Sequence, residues 1–252
     1  MRKGDIRKQE ILQTAETLFC RYGYEKTSIQ DILDQLKTSK GSFYHHYPSK
    51  EAVLEGICRN RAEQIFHAVE AKLSDQNTAE QKINILLSGM IPFQDEKLSF
   101  LLMFLQIFRL PEGRSIKSSY CEALSAQFYQ AFRAALEAGH ASGELICPQP
   151  DIATDICFAL VHELWTRICD LMIRCEEEGQ EADLSEILRM TEQYRAAVEK
   201  ILSVRYGAII LIDIPSLRFL NEQIHAHWDI NQQQENLIIN TINENNEGGP
   251  TV

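Results

Sequence analysis

The chain has 252 residues, a length that allows one or two domains and a sizeable buried core. Hydrophobic residues are 44% and charged residues 24%, ordinary for a globular chain, and twelve Gly with seven Pro exclude collagen-like and Pro-rich sequences. The net charge of −11 argues against nucleic-acid binding over the whole surface. Its distribution says more. Residues 1–50 hold nine Lys/Arg against six Asp/Glu, a net +3, and residues 51–252 hold a net −14. That is the pattern of a small cationic module on an acidic body.

The first ten residues contain no apolar run of the kind a signal peptide needs. The longest apolar stretch, 98–110, is broken by Gln106 and Arg109 and is too short to span a bilayer. A cytoplasmic chain, nucleoid-associated when bound to DNA and with no membrane partner, is expected. The seven Cys show no CxxC pair and irregular spacing, so reduced thiols acting as small hydrophobes are expected rather than a disulfide framework.

In chain order, Ile11, Ala15, Leu18, Phe19 and Tyr22 recur on one helix face, and Gly23 supplies a stop. Thr27-Ser-Ile-Gln30 reads as a capping box for a second helix with Ile29, Ile32, Leu33 and Leu36 inward. Ser39 caps a third helix over 40–47, Pro48 ends it, and Ser49 caps a fourth through Val53, Leu54, Ile57 and Ile65. Helices two and three are too short to stand alone and must pack on the first and fourth. Further helices are predicted over 78–90, 98–108 and 112–138, the last ending at Gly139. Pro148 and Pro150 then break the chain before helices over 151–175 and 184–202. The 152–173 stretch is apolar over most of its surface, with Glu163, Thr166, Arg167, Asp170 and Arg174 as one polar stripe. Such a helix has to pack on two things at once. Beyond Arg205, a β-branched run over 209–212, a modest helix over 217–227 and an Asn/Gln-rich, disordered stretch from 229 are expected.

The helix pair 27–36 and 39–47 is a helix-turn-helix candidate, a weak signal until the second helix is read: Ser39-Lys-Gly-Ser-Phe-Tyr-His-His-Tyr47. Hydroxyls, imidazoles and a Lys donate to phosphate, and Gly41 lets a backbone come close. Phe43 and Tyr47, four apart, face inward. Over residues 6–54, and most specifically in "TSKGSFYHHYPSKEAVL", the chain resembles the TetR/AcrR family of transcriptional regulators. It departs from that pattern at Lys37, where the family usually has Gly, and at Thr38 in place of Val or Ile.

The resemblance implies an all-α fold: a helix-turn-helix domain over 1–50, a helical effector-binding and dimerisation domain over 51–205, and an extension over 206–252. No constellation of catalytic residues is found, so no enzyme, no metal and no cofactor are expected. The resemblance implies a homodimer on palindromic double-stranded operator DNA, with recognition helices about 34 Å apart, and repression as the expected sense. Thr27, Ser28 and Gln30 would lie near a phosphate or base edge. Ser39, Lys40, Gly41 and Ser42 would open the recognition helix, Tyr44 and His45 would reach backbone or bases, and His46 and Lys50 would meet phosphate. The last two long helices would pair with their copies through Leu160, Leu164, Ile168, Leu171, Ile187, Leu188, Val198 and Ile201. A small, partly apolar effector of unknown identity would sit among Phe100, Met103, Phe104, Phe108, Tyr120, Phe128, Phe158, His162 and Trp165. At helical spacing the competing reading of these residues is plain core, with His162 and Trp165 standing out because a buried imidazole and indole N–H need partners.

Rival motifs fail on spacing. His162-Glu-Leu-Trp-Thr166 lacks the second histidine of a zinc-protease HExxH, and Gly139-His-Ala-Ser-Gly143 has its Ser one place late for a nucleophile elbow. His225 and His227 are at most a weak metal pair, and Cys169 and Cys175, six apart, do not share a helix face. A helical scaffold that has lost operator binding is the remaining alternative, with Lys37 in the turn as its one support.

Overall fold

In a computed structural model of the chain, the described residues are 3–74, 77–91, 98–180 and 183–212, with 215, 217–219 and 222. Among them the regular structure is all helical: α1 (Lys3–Tyr22), α2 (Ile29–Leu36), α3 (Lys40–His46), α4 (Lys50–Glu70), α5 (Ala79–Met90), α6 (Leu98–Phe108), α7 (Gly113–Ser142), α8 (Pro150–Glu177) and α9 (Leu184–Leu202). No described helix is long and apolar enough to cross a membrane. The stretch from 229 and the His225/His227 pair lie outside the described residues. Of the helix expected over 217–227, only 217–219 and 222 are described, and they are helical.

α1 buries Ile11, Leu12, Ala15 and Phe19 against α4. Tyr22, expected on that face, is exposed, and Leu12 takes a place in the stripe instead. Gly23 ends the helix at φ 88°, and the following Tyr24 folds back edge-on to Phe19, with ring centroids 5.1 Å apart. α4 then serves two units, packing on α1 on one side and on α5 and α7 on the other.

α7 runs past its expected stop. Gly139 lies inside the helix, and Gly143, at φ 79°, ends it. Close packing explains Gly139: a Cβ there would stand 2.6 Å from Ala79 Cβ and 2.8 Å from Leu145 Cδ2, so only glycine lets α7 meet the start of α5. α5 itself opens on a Thr78–Gln81 capping box.

While Ile152 and Ile156 stay exposed, most of the wide apolar surface of α8 packs within one chain, on α7 and α9. Leu164, Ile168, Ile187 and Val198 are fully buried there, and Leu171 nearly so. Of the eight residues expected to meet a second copy, these five are buried within the single chain, and Leu160, Leu188 and Ile201 are partly exposed. The β-branched run past Arg205 forms no strand among the described residues. It docks on α5 and α9 through hydrogen bonds instead. Asn84 of α5 donates to the Ala208 carbonyl and accepts from the Ile210 N–H, both at 2.7 Å. Buried Glu199 of α9 accepts from the N–H groups of Gly207 and Ile209.

Candidate functional site

The helix-turn-helix is built by caps. Ser28, not Thr27, is the N-cap of α2: its hydroxyl accepts from the Asp31 N–H at 3.2 Å, and Asp31 accepts the Ser28 N–H at 2.7 Å. The Ser28 hydroxyl also donates to the Asp31 carboxylate at 2.7 Å, and this bond, with that from the Ser28 N–H, holds the Asp31 carboxyl below its usual range. Thr27 is buried, and its hydroxyl donates to the Gly23 carbonyl at 2.8 Å. Thr27, expected near a phosphate or base edge, thus closes the α1–α2 turn in this structure. Lys37 takes the left-handed conformation at φ 50°, ψ 46° that the family's usual glycine would supply, and the Thr38 N–H reaches the Leu33 carbonyl at 3.1 Å. The turn is complete, at a cost of about 1–2 kcal/mol in that backbone. The support for a lost turn geometry disappears.

Ser39 caps α3 by accepting from the Ser42 N–H at 3.2 Å. Of α3's seven residues only Phe43 is buried, and Tyr47 seals the next position. Lys40, Gly41, Tyr44 and His45 are exposed, and Ser42 and His46 half-buried. His45 and His46 stack edge-on at 5.1 Å. A Cβ added at Gly41 would meet nothing within 4 Å, so no neighbour in the chain requires glycine there.

Two flanking residues have hydrogen-bond partners within the chain. Gln30 is exposed on α2, with its amide donating to Asp34 at 2.7 Å. Lys50 spends two of its three donors inside, on the carbonyls of Tyr24 at 2.9 Å and Thr27 at 3.2 Å, with its ammonium 4.2 Å from the Tyr24 ring centroid. Lys50 thus ties the start of α4 to the α1–α2 turn, a role its charge alone did not reveal.

In the body the expected pocket residues form two sets. Phe104 packs on Phe100, Tyr120 and Phe108 with centroids 4.5, 5.0 and 5.2 Å away, and Met103 lies on the same helix, within sulfur contact of Cys20. Further along α7, Phe128 meets Phe66 of α4 at 5.1 Å, and Phe158 meets Phe132 at 5.2 Å with His162 at 6.4 Å. Trp165 is buried on α8. Sequence reasoning missed Phe66 and Phe132, although Leu124, Phe128 and Phe132 step by four along one helix. It also missed Arg61, a lone cation on the apolar face of α4. Arg61 pairs with Glu16 of α1 and lies 5.2 Å from the Phe100 ring centroid, linking the N-terminal unit to α6.

Two buried polar atoms in this region, Tyr120 Oη and His162 Nε2, have no hydrogen-bond partner among the described residues. Burial pushes the Tyr120 phenol up, and burial lowers the His162 imidazole to about 4, so His162 is neutral at physiological pH. Burial also raises the thiols of Cys20 and Cys121 to about 11, which makes them poor nucleophiles. Among the described residues no group of three His, Cys, Asp or Glu side chains is placed to hold a metal.

Residues 11–57 match the family described as "Bacterial regulatory proteins, tetR family". The chain is 26% identical over 168 residues to the HTH-type transcriptional repressor KstR2 of Rhodococcus jostii (strain RHA1), covering 62% of this chain and 75% of that one. It is 28% identical over 140 residues to the HTH-type transcriptional regulator YerO of Bacillus subtilis (strain 168), covering 54% of this chain and 48% of that one. Among solved structures, RolR in complex with resorcinol superposes with a TM-score of 0.55 at 14% identity, over 87% of this chain and 94% of that one, a likeness of fold.

Proposed function

We propose that this chain, a DNA-binding transcriptional regulator of the TetR family and not an enzyme, acts as a homodimeric repressor on a palindromic operator and is released by a small, partly apolar effector. The observation that carries the DNA contact is the outer face of α3. One side chain anchors the helix in the core, and Lys40, Gly41, Tyr44 and His45 are left outward on a unit with a net +3. Such a face suits the major groove, where Lys reads base edges and hydroxyls and imidazoles meet phosphate.

Gly41 sharpens this reading. Glycine inside a helix costs about 0.5–1 kcal/mol relative to alanine, and its neighbours in the chain give no reason for it. Close approach to a duplex supplies one. Gly41→Ala is expected to leave thermal stability equal or raised while weakening DNA binding; equal affinity in the variant removes that argument.

The dimer surface we assign is the outward stripe of α8. Ile152 and Ile156, 52% and 43% exposed, lead into Leu160 and then the charged Glu163 and Arg167. The partly exposed Leu188 and Ile201 of α9 extend it. The effector reading is supported by His162 Nε2, unpartnered among the described residues beside Phe158, and separately by Tyr120 Oη beside Phe100 and Phe104; either suits an apolar molecule with a polar group. Selection of genomic fragments on the full chain tests the whole. A palindrome with half-sites one helical turn or a multiple apart is expected. Failure to retain any sequence leaves the helical scaffold as the better reading.

A further inference from the structure

We propose that the first two turns of α1 carry the DNA interface beyond the recognition helix, with Lys8 and Arg7 meeting the phosphate backbone of the duplex beside the end of α3. This inference rests on the DNA-binding reading above and extends it to an element outside the α2–α3 pair.

The first observation is that this stretch has no core to pack on. α1 begins at Lys3, but its first buried residue is Ile11. Gly4, Asp5, Ile6, Lys8 and Gln9 are exposed and Arg7 half-buried. At 1.5 Å per residue, about 12 Å of helix precedes Ile11. The second is where it projects. A Cβ at Gly4 would lie 4.0 Å from His46 Cε1, and the Lys8 ammonium is 6.0 Å from the Tyr47 ring centroid. The projecting turns therefore run alongside the C-terminal end of the recognition helix.

Charge is the third. Residues 1–10 contain Arg2, Lys3, Arg7 and Lys8 against Asp5 and Glu10. Cations at the start of a helix oppose its own dipole, so local helix stability does not account for them. Arg7 pairs with Glu10 one turn on, at 2.9 Å between half-exposed side chains. Such a surface pair is weak enough to be exchanged for a phosphate. Lys8 has no acidic partner among the described residues. Phosphate, rather than a base edge, is the partner: an exposed ammonium next to the groove-facing helix is a sequence-independent contact.

The test needs no knowledge of the operator. Full-length wild type, Lys8→Gln, Arg7→Gln and Lys40→Ala are titrated against a mixed-sequence duplex several helical turns long over a salt series. Lys8 is exposed, so its replacement leaves the fold intact, checked by circular dichroism. Lys8→Gln is expected to lower affinity several-fold at low salt and to reduce the log–log salt slope by about 0.9 for each protomer bound. Glu10→Gln, which frees Arg7 and removes an anion, is expected to raise affinity. Lys8→Gln and Arg7→Gln variants with wild-type affinity and slope, beside a weakened Lys40→Ala, overturn the α1 contact and leave the regulator reading standing. A wild type with no salt-dependent binding overturns both.

Discussion

Leu164→Ala and Ile168→Ala are each expected to lower folding stability by about 2–5 kcal/mol, because each opens a cavity in a closed core. Both side chains are fully buried between α7, α8 and α9 of a single chain. A residue whose role was to meet a second copy would be exposed in one chain alone, and its loss would be felt in assembly first. Ile156→Glu therefore gives the contrasting result: native circular dichroism, a monomer by sedimentation, and loss of operator binding, since two recognition helices must be held at a fixed spacing. Denaturation at two protein concentrations separates the cases, because only a dimer's apparent stability depends on concentration. If Ile156→Glu remains dimeric, the interface lies elsewhere than the α8 stripe.

Stability is also expected to fall as the solution is acidified from neutrality, through His162. Burial holds its imidazole at about 4, against an ordinary value of 6.5. The unfolded chain takes up a proton as pH drops through about 6.5, and the folded chain does so only near 4. The contribution of neutral His162 is thus present above about 6.5 and withdrawn between there and 4. At about 1.4 kcal/mol per pH unit, the full change is about 3 kcal/mol. Glu16 acts in the opposite sense, since burial holds its carboxyl above the usual range despite Arg61. The readout is therefore the difference between wild type and His162→Gln in urea unfolding at pH 7 and pH 5. The variant is expected to lose less stability on acidification. Equal losses would mean that the imidazole is solvated or finds a partner. An effector that bonds Nε2 would shift the same transition, which makes the pH profile a screen for ligands as well.

Much of the fold was legible because local chemistry announces it. Ser39 and Ser49 each cap the helix that their spacing with the following apolar residues predicts. α6 keeps its expected bounds at Leu98 and Phe108 because the apolar run itself is sharply limited. What was not legible depends on tertiary neighbours. Gly139 looks like a helix stop, and only the approach of Ala79 and Leu145 shows why a glycine sits inside α7. The excess apolar surface of α8 signals two packing partners, but periodicity cannot say whether the second is α9 of the same chain or another copy. In the DNA unit, Thr27 and Lys50 have the right chemistry for phosphate, yet backbone carbonyls across the α1–α2 turn occupy the Thr27 hydroxyl and two Lys50 donors. Side-chain type suggests those roles, and only the fold around the turn decides between them.

The most direct test of the account is operator affinity of wild type and Lys40→Ala across a salt series, on a fragment recovered by selection. Lys40 is exposed at the first position of α3, so the variant keeps its fold. The account predicts saturable binding with a steep salt slope, and a loss of affinity in Lys40→Ala that is larger on the operator than on mixed-sequence DNA. Unchanged operator affinity in the variant would contradict the placement of α3 in the groove.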